Sequence, residues 1–466
     1  MEELLLSNIQ VSIIPTVLIP LSLVSFALSM VASFIAGLFG IKLKTEGAKK
    51  LVELVVKPKF IIFAIISNFV FLGLFKGYDY VKTLPHPLFY IQYSNDTQIS
   101  NQFYENSITD KFEFERNLNV KKTELNEQLH VKLESGAFYM PLVTEKSFFF
   151  GTKNGDLLEI DRKSFKVLRK LKLGTFIPSG LIIHNNHLYT GEGVHTTHHA
   201  RIYKIKLKDF TVDNIFTTKG HTEGTATLLS DSLIFPAGGD GVYRIETKSL
   251  EKIWHAKIGH TDSQALVESE AVYIGTGLDK VDPKERAKAF ALEKTTGEII
   301  WKRDLIASSW FKPIAFDKRV CFVTGEIYFK SEISGLECFE RSSGKPVGTY
   351  RSLSPLTSLP ILLGENFVFA KRNGEVCSIK AKNLVENWCQ KTANDGHSYS
   401  SIMYDKFRDL LVYATRASGL FTLDPDSGKL IQHLSIEGWK STFARPLVLE
   451  EGIITIDLEG NIRRFN

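Results

Sequence analysis

The sequence predicts an all-β fold, an eight-bladed β-propeller of four-stranded antiparallel blades, preceded by two transmembrane α-helices. Three observations lead there. Two long apolar runs near the N-terminus carry no charge, a self-similar unit of about 40 residues recurs from Gln128 onward, and the last repeat stops one strand short.

The apolar runs come first. No charged residue lies between Glu3 and Lys42, and none again between Lys59 and Lys76. The first run holds a span of about 20 residues, placed at 20–40; the second, 60–76, is shorter and is extended by snorkelling of Lys57, Lys59 and Lys76. Between them, residues 42–59 carry Lys42, Lys44, Lys49, Lys50, Lys57 and Lys59 against only Glu46 and Glu53, the pattern of a loop kept in the cytoplasm. Residues 1–41 then form a short outside tail and the first helix. The large C-terminal part is expected on the periplasmic side of a bacterial inner membrane, in a multi-pass protein. A cleavable signal peptide is not expected, because Glu2 and Glu3 open the chain and no basic residue precedes Lys42. No cysteine precedes Cys321, so a lipid-anchored N-terminus is not expected either. Ser25, Ser29, Ser33 and Gly37 put small residues on one helix face, suited to close packing against Ser67 and Asn68 of the second span or against another membrane protein.

Residues 77–127 begin with the interfacial aromatics Tyr78 and Tyr80 and continue through Pro85 and Pro87 into polar sequence, which reads as a partly ordered stalk. The propeller takes 128–466. Each repeat has two apolar runs, a Gly-led or Ala-led third run ending near an acidic residue, and a fourth run after a tight turn. The third and fourth runs read GDLLEIDRKSFKVLRKL from Gly155 and AKAFALEKTTGEIIW from Ala287, with counterparts from Ala200, Gly241, Gly335, Gly374 and Gly419 and a truncated GNIRRFN from Gly460. Eight recurrences imply eight blades. The strand missing after Asn466 is matched by a spare one at 128–133, which is expected to complete the last blade and leave no unpaired sheet edge at the seam.

Ala291, Glu293, Thr296, Gly297 and Trp301 stand in the order A-x-(D/E)-x-x-T-G-x-x-x-W. In this the sequence resembles the pyrroloquinoline-quinone-like propeller repeats. Asp424, Ser427 and Gly428 repeat part of the pattern, and Trp254 and Trp388 take the tryptophan position of two other blades. The resemblance implies that the glycine turns the outer hairpin and that the tryptophan packs between neighbouring blades. It leaves function open, since the family holds both quinone-dependent dehydrogenases and non-catalytic scaffolds. The dehydrogenases carry two adjacent cysteines and a calcium site. No two cysteines are adjacent here, and the long insertions that build the pocket are missing, so neither pyrroloquinoline quinone nor calcium is expected. The non-catalytic branch includes an eight-bladed lipoprotein of outer-membrane-protein assembly, similar in blade count. Its implication is a membrane-anchored scaffold that binds other envelope proteins. A quinone-dependent oxidoreductase and a small-molecule or glycan binder are the alternatives.

The formal net charge of +5 comes without any basic block in the propeller, so nucleic acid is not expected as a partner. Cys321 and Cys338 fall on neighbouring strands of one blade, and Cys377 and Cys389 on neighbouring strands of the next. They are candidates for two disulfides; free buried thiols and a cross-blade Cys338–Cys377 pair are the other readings. His195, His198 and His199 share a loop without an acidic residue or cysteine at partner spacing, so no metal is expected there. His221, His260 and His397 follow a glycine at blade-to-blade junctions, and Trp310 and Trp439 occupy comparable loops. Together with the long loops 191–200, 275–287 and 325–335 these eight histidines and tryptophans are expected to form an exposed partner-binding or ligand-binding face.

Overall fold

The second strands of the blades, such as SFFFG, SLIFP, AVYIG and LLVYA, are apolar along most of their length and not alternating. Such runs suit strands buried on both faces, and the fold supplies that burial by stacking each sheet between two others. In the computed structural model, Ser147–Gly151, Ser232–Pro236 and Ala271–Gly275 are buried throughout. The outermost strands are different: Thr211–Thr217 and Glu386–Lys391 are half-buried or exposed along most of their length.

The chain divides into two units, Met1–Leu84 and Pro85–Asn466. The structure describes residues 92–94, 113–118, 120 and 123–466, apart from 269–270, 279–285, 328–332, 357, 393–400, 416–417 and 440–442. The expected spans at 20–40 and 60–76 and the basic loop at 42–59 lie outside the described residues. Among the described residues no helix is long and apolar enough to cross a membrane.

Eight antiparallel sheets of four strands make up the propeller, each an up-and-down meander. Blade one covers 142–172, blade two 182–217, blade three 227–256, blade four 266–304, blade five 314–352, blade six 361–391 and blade seven 403–434. Blade eight combines Leu447–Leu449, Gly452–Ile456 and Asn461–Phe465 with Glu127–Lys132, which pairs antiparallel to the chain's last strand. Arg463 adds a 2.7 Å ion pair to Glu127 across this seam. The core lies between blades. Phe148, Phe150 and Ile160 of blade one, for example, pack on Leu447, Ile454 and Ile462 of blade eight.

Two sheets gain a fifth strand from the segment read as a stalk. Gln92–Ser94 pairs with the outer strand of blade one, and Glu113–Phe114 pairs in parallel with the innermost strand of blade six. The segment then crosses the face formed by the short turns. Arg116 grips Asp409 of blade seven with two 2.8 Å bonds, and Leu125 exchanges backbone hydrogen bonds of 2.7 and 2.9 Å with the Gln432 side chain. Part of 77–127 is therefore propeller surface and not stalk. Its polar composition concealed this, because the docking uses charge and backbone pairing, not an apolar stripe.

The outer hairpins explain the repeat motif. The Glu293 carboxylate accepts the Thr295 amide at 2.8 Å, and Gly297, at φ +75°, closes the turn by donating to the Glu293 carbonyl at 2.9 Å. Trp254 of blade three lies on that glycine and donates its indole N–H to the Lys294 carbonyl at 3.0 Å. Trp301 and Trp388 make the same contact with Gly344 and Gly428 of the blades that follow them.

Candidate functional site

Strand direction alternates within a blade, so two faces of the ring differ. The turns between first and second and between third and fourth strands lie on one face; the second-to-third loops and the blade junctions lie on the other. The second face brings three of the candidate histidines together. His195 comes from the second-to-third loop of blade two, His221 from the junction of blades two and three, and His260 from the junction of blades three and four. Their ring centroids are 4.8 to 5.1 Å apart.

Asp262 sits among them. The His221 Nε2–H donates to its Oδ1 at 2.9 Å and the His260 Nε2–H to its Oδ2 at 2.8 Å, while His195 Nε2 is 4.0 Å from Oδ2. The acidic partner that the local sequence around His195 lacks thus comes from a different junction. One donor atom from each of the four residues lies within 4.8 Å of the others.

Each member is fixed by its own loop. The His221 ring lies on Gly238, where a Cβ would stand 2.5 Å from the imidazole; at φ +53° this glycine also keeps a conformation that side chains disfavour. Thr222 donates its amide and hydroxyl to the Glu192 carbonyl at 3.0 and 2.9 Å. Thr261 exchanges two 3.0 Å backbone bonds with Gly238, which holds Asp262 beside His221. The His260 carbonyl accepts the Gly277 amide at 3.0 Å, and Trp310 packs edge-on to His260 at 5.5 Å and to His195 at 6.5 Å.

Burial would by itself raise the Asp262 carboxyl, but the two imidazoles outweigh it and hold the group far below the usual carboxylate range. Burial opposes the charged form of His221; the Asp262 carboxylate prevails and raises it. Glu223, two residues after His221, goes the other way. Enclosure and the neighbouring Asp262 charge push its carboxyl up to about 8, and its buried Oε2 has no hydrogen-bond partner.

The remaining candidates are placed elsewhere. His198 is exposed and His199 half-buried, both outside the cluster, and His397 lies outside the described residues. Trp310 is buried, only 8% exposed, against Gly277. Trp439 is half-buried against the core between blades seven and eight and donates its indole N–H to the Thr415 carbonyl at 2.8 Å. Neither is an exposed anchor. Their junctions fold back onto the ring, which packs Trp310 wholly and Trp439 partly against it. Cys321 is bonded to Cys338 and Cys377 to Cys389, each pair directly opposed on neighbouring strands.

A local signal for the cluster was present in the sequence. Gly220-His221-Thr222-Glu223 and Gly259-His260-Thr261-Asp262 are the same four-residue pattern at consecutive junctions, with an acid two places after each histidine. Beyond the glycine-histidine recurrence, the acid two places on is the signal that points to the cluster.

Residues 283–461 match a family model described as the outer membrane protein assembly factor BamB. Among solved structures, BamB from Moraxella catarrhalis is 12% identical, with 74% of this chain and 100% of that chain covered and a TM-score of 0.57. The computationally designed Ika8 protein is 8% identical, with 71% of this chain and 96% of that chain covered and a TM-score of 0.57. These likenesses are of fold, a β-propeller of the pyrroloquinoline-quinone-like kind. No curated protein matches the chain.

Proposed function

We propose that the chain is a non-catalytic, protein-binding propeller of the bacterial envelope. Two N-terminal spans at 20–40 and 60–76 tether it, with the basic loop 42–59 in the cytoplasm and the propeller on the periplasmic side of the inner membrane.

The observation that carries this reading is a pair of exposed apolar side chains on the loop face at blade five: Leu353 is 87% exposed and Ile333 56% exposed. Exposed apolar side chains on loops held by a rigid ring are suited to protein contact. Two disulfides within the blades fit an oxidising compartment. The match of 283–461 to a model named for an outer membrane protein assembly factor supports envelope proteins as the class of partner.

A photo-cross-linker at position 353 in the full chain, followed by mass spectrometry, tests the reading. Stoichiometric envelope proteins are expected, and Leu353→Asp should abolish their capture. No adduct from position 353, or a purified protein with a quinone absorption band, overturns it. A reporter active only in the periplasm should be active when fused after Asn466 and silent near Lys50; the reverse pattern overturns the tether.

A further inference from the structure

We propose that His195, His221, His260 and Asp262 bind one divalent transition-metal ion of the zinc class, through three imidazole nitrogens and one carboxylate oxygen. The donor set is the first argument. Imidazole with carboxylate is a zinc combination, and four such ligands complete a tetrahedral shell.

Geometry is the second. Ligands at about 2.0 Å from a tetrahedral ion stand about 3.3 Å from one another. The four donors here lie within 4.8 Å of each other, with Asp262 2.9 Å from His221, 2.8 Å from His260 and 4.0 Å from His195. They are held in place by backbone contacts, Gly238 beneath His221 and Gly277 to the His260 carbonyl, so the site is built before any ion arrives. On binding, an imidazolium releases its Nε2 proton to solvent, or a neutral imidazole moves that proton to Nδ1, so that each ring presents a bare Nε2 to the ion.

The third argument is independent of the ligands. Glu223 Oε2 is buried beside this cluster without a hydrogen-bond partner. A buried carboxyl oxygen with no hydrogen-bond partner is costly, and it marks an unsatisfied polar atom at the edge of the cluster. Trp310 walls off one side, and His195, whose side chain is 31% exposed, forms the outer side through which an ion enters.

Without an ion, His221, Asp262 and His260 already make a hydrogen-bonded bridge. His195 is what a metal adds to that bridge, so the proposal turns on it. The ion would then clamp the loops of blades two, three and four together on the loop face, which goes beyond partner binding and stands whether or not that reading holds.

The test uses the full chain purified without a polyhistidine tag, equilibrated with Zn²⁺ and freed of excess. About one zinc per chain is expected by elemental analysis, since the four donors make one shell. Cobalt in its place should give the visible bands of a four-coordinate nitrogen and oxygen site. His195→Ala and Asp262→Asn should each weaken zinc binding by at least about 10-fold, the smallest loss seen even for outer partners of a metal site. His198→Ala and His199→Ala should leave it unchanged. Circular dichroism keeps the test valid: His195 lies in a partly exposed loop, so its variant is expected to melt like the parent measured without metal. No zinc retained by the wild-type chain, or equal zinc in the folded His195→Ala variant, overturns the proposal.

Discussion

The indole of Trp301, on the outer strand of blade four, lies against Gly344 at the outer hairpin of blade five, so closely that a Cβ there would stand 2.6 Å from its Cδ2. The neighbouring pair inverts the arrangement. Blade five presents Gly348, and the matching turn of blade six carries Leu384, 3.1 Å from where a Cβ on Gly348 would be. At these two interfaces a large residue faces a small one, so that each gap is filled once. Gly344→Ala adds a clash to a backbone at φ +67° and should cost about 1–3 kcal/mol. Urea unfolding of the full chain measures it; an unchanged midpoint would contradict the packing.

Closure of the ring depends on Glu127–Lys132 pairing with the last strand. A soluble fragment beginning at Lys121 keeps that strand and the Glu127–Arg463 pair, and should unfold cooperatively. One beginning at Ala137 leaves Asn461–Phe465 as an open edge and should aggregate. Equal solubility and equal melting of the two fragments would refute the seam.

Trp310 separates structural from recognition roles on the loop face. Because it is buried against Gly277 and two histidines, Trp310→Ala should lower stability by about 3 kcal/mol. Leu353→Ser, at an 87% exposed position, should leave the melting temperature within a degree or so of wild type. A Trp310 variant as stable as its parent would return that residue to the list of binding anchors.

Glu293 accepts the Thr295 and Thr296 amides, and those bonds hold its carboxyl down to about 2. A depressed folded-state value means the turn gains stability above the ordinary glutamate range and loses it as pH falls through about 2. Carboxyl-carbon NMR of the folded propeller should show this group still ionised at pH 3; a midpoint near 4.3 would show that the carboxylate does not cap the turn.

Alkylation of the unreduced, denatured protein followed by mass spectrometry should recover Cys321 linked to Cys338 and Cys377 linked to Cys389. Four alkylated thiols, or a Cys338–Cys377 peptide, would contradict the cross-strand pairs.

The period of the repeats, the A-x-(D/E)-x-x-T-G-x-x-x-W pattern and the spare strand before Ala137 were enough to give the blade count, the turning glycine with its tryptophan, and the place of the seam. These are local or periodic features. A turn such as 293–297 is set by its own residues, and a missing strand can be counted. What tertiary structure alone decided is which side chains meet across blades. His195, His221 and the pair His260 and Asp262 lie on three loops distant in sequence, and converge because stacking the sheets around a ring brings successive junctions to the same part of one face. The burial of Trp310, the half-burial of Trp439 and the docking of Arg116 on Asp409 belong to the same class. Hydrophobic periodicity records how each strand is covered but not the path of a loop, so a loop histidine looked solvated until the neighbouring blade supplied its carboxylate.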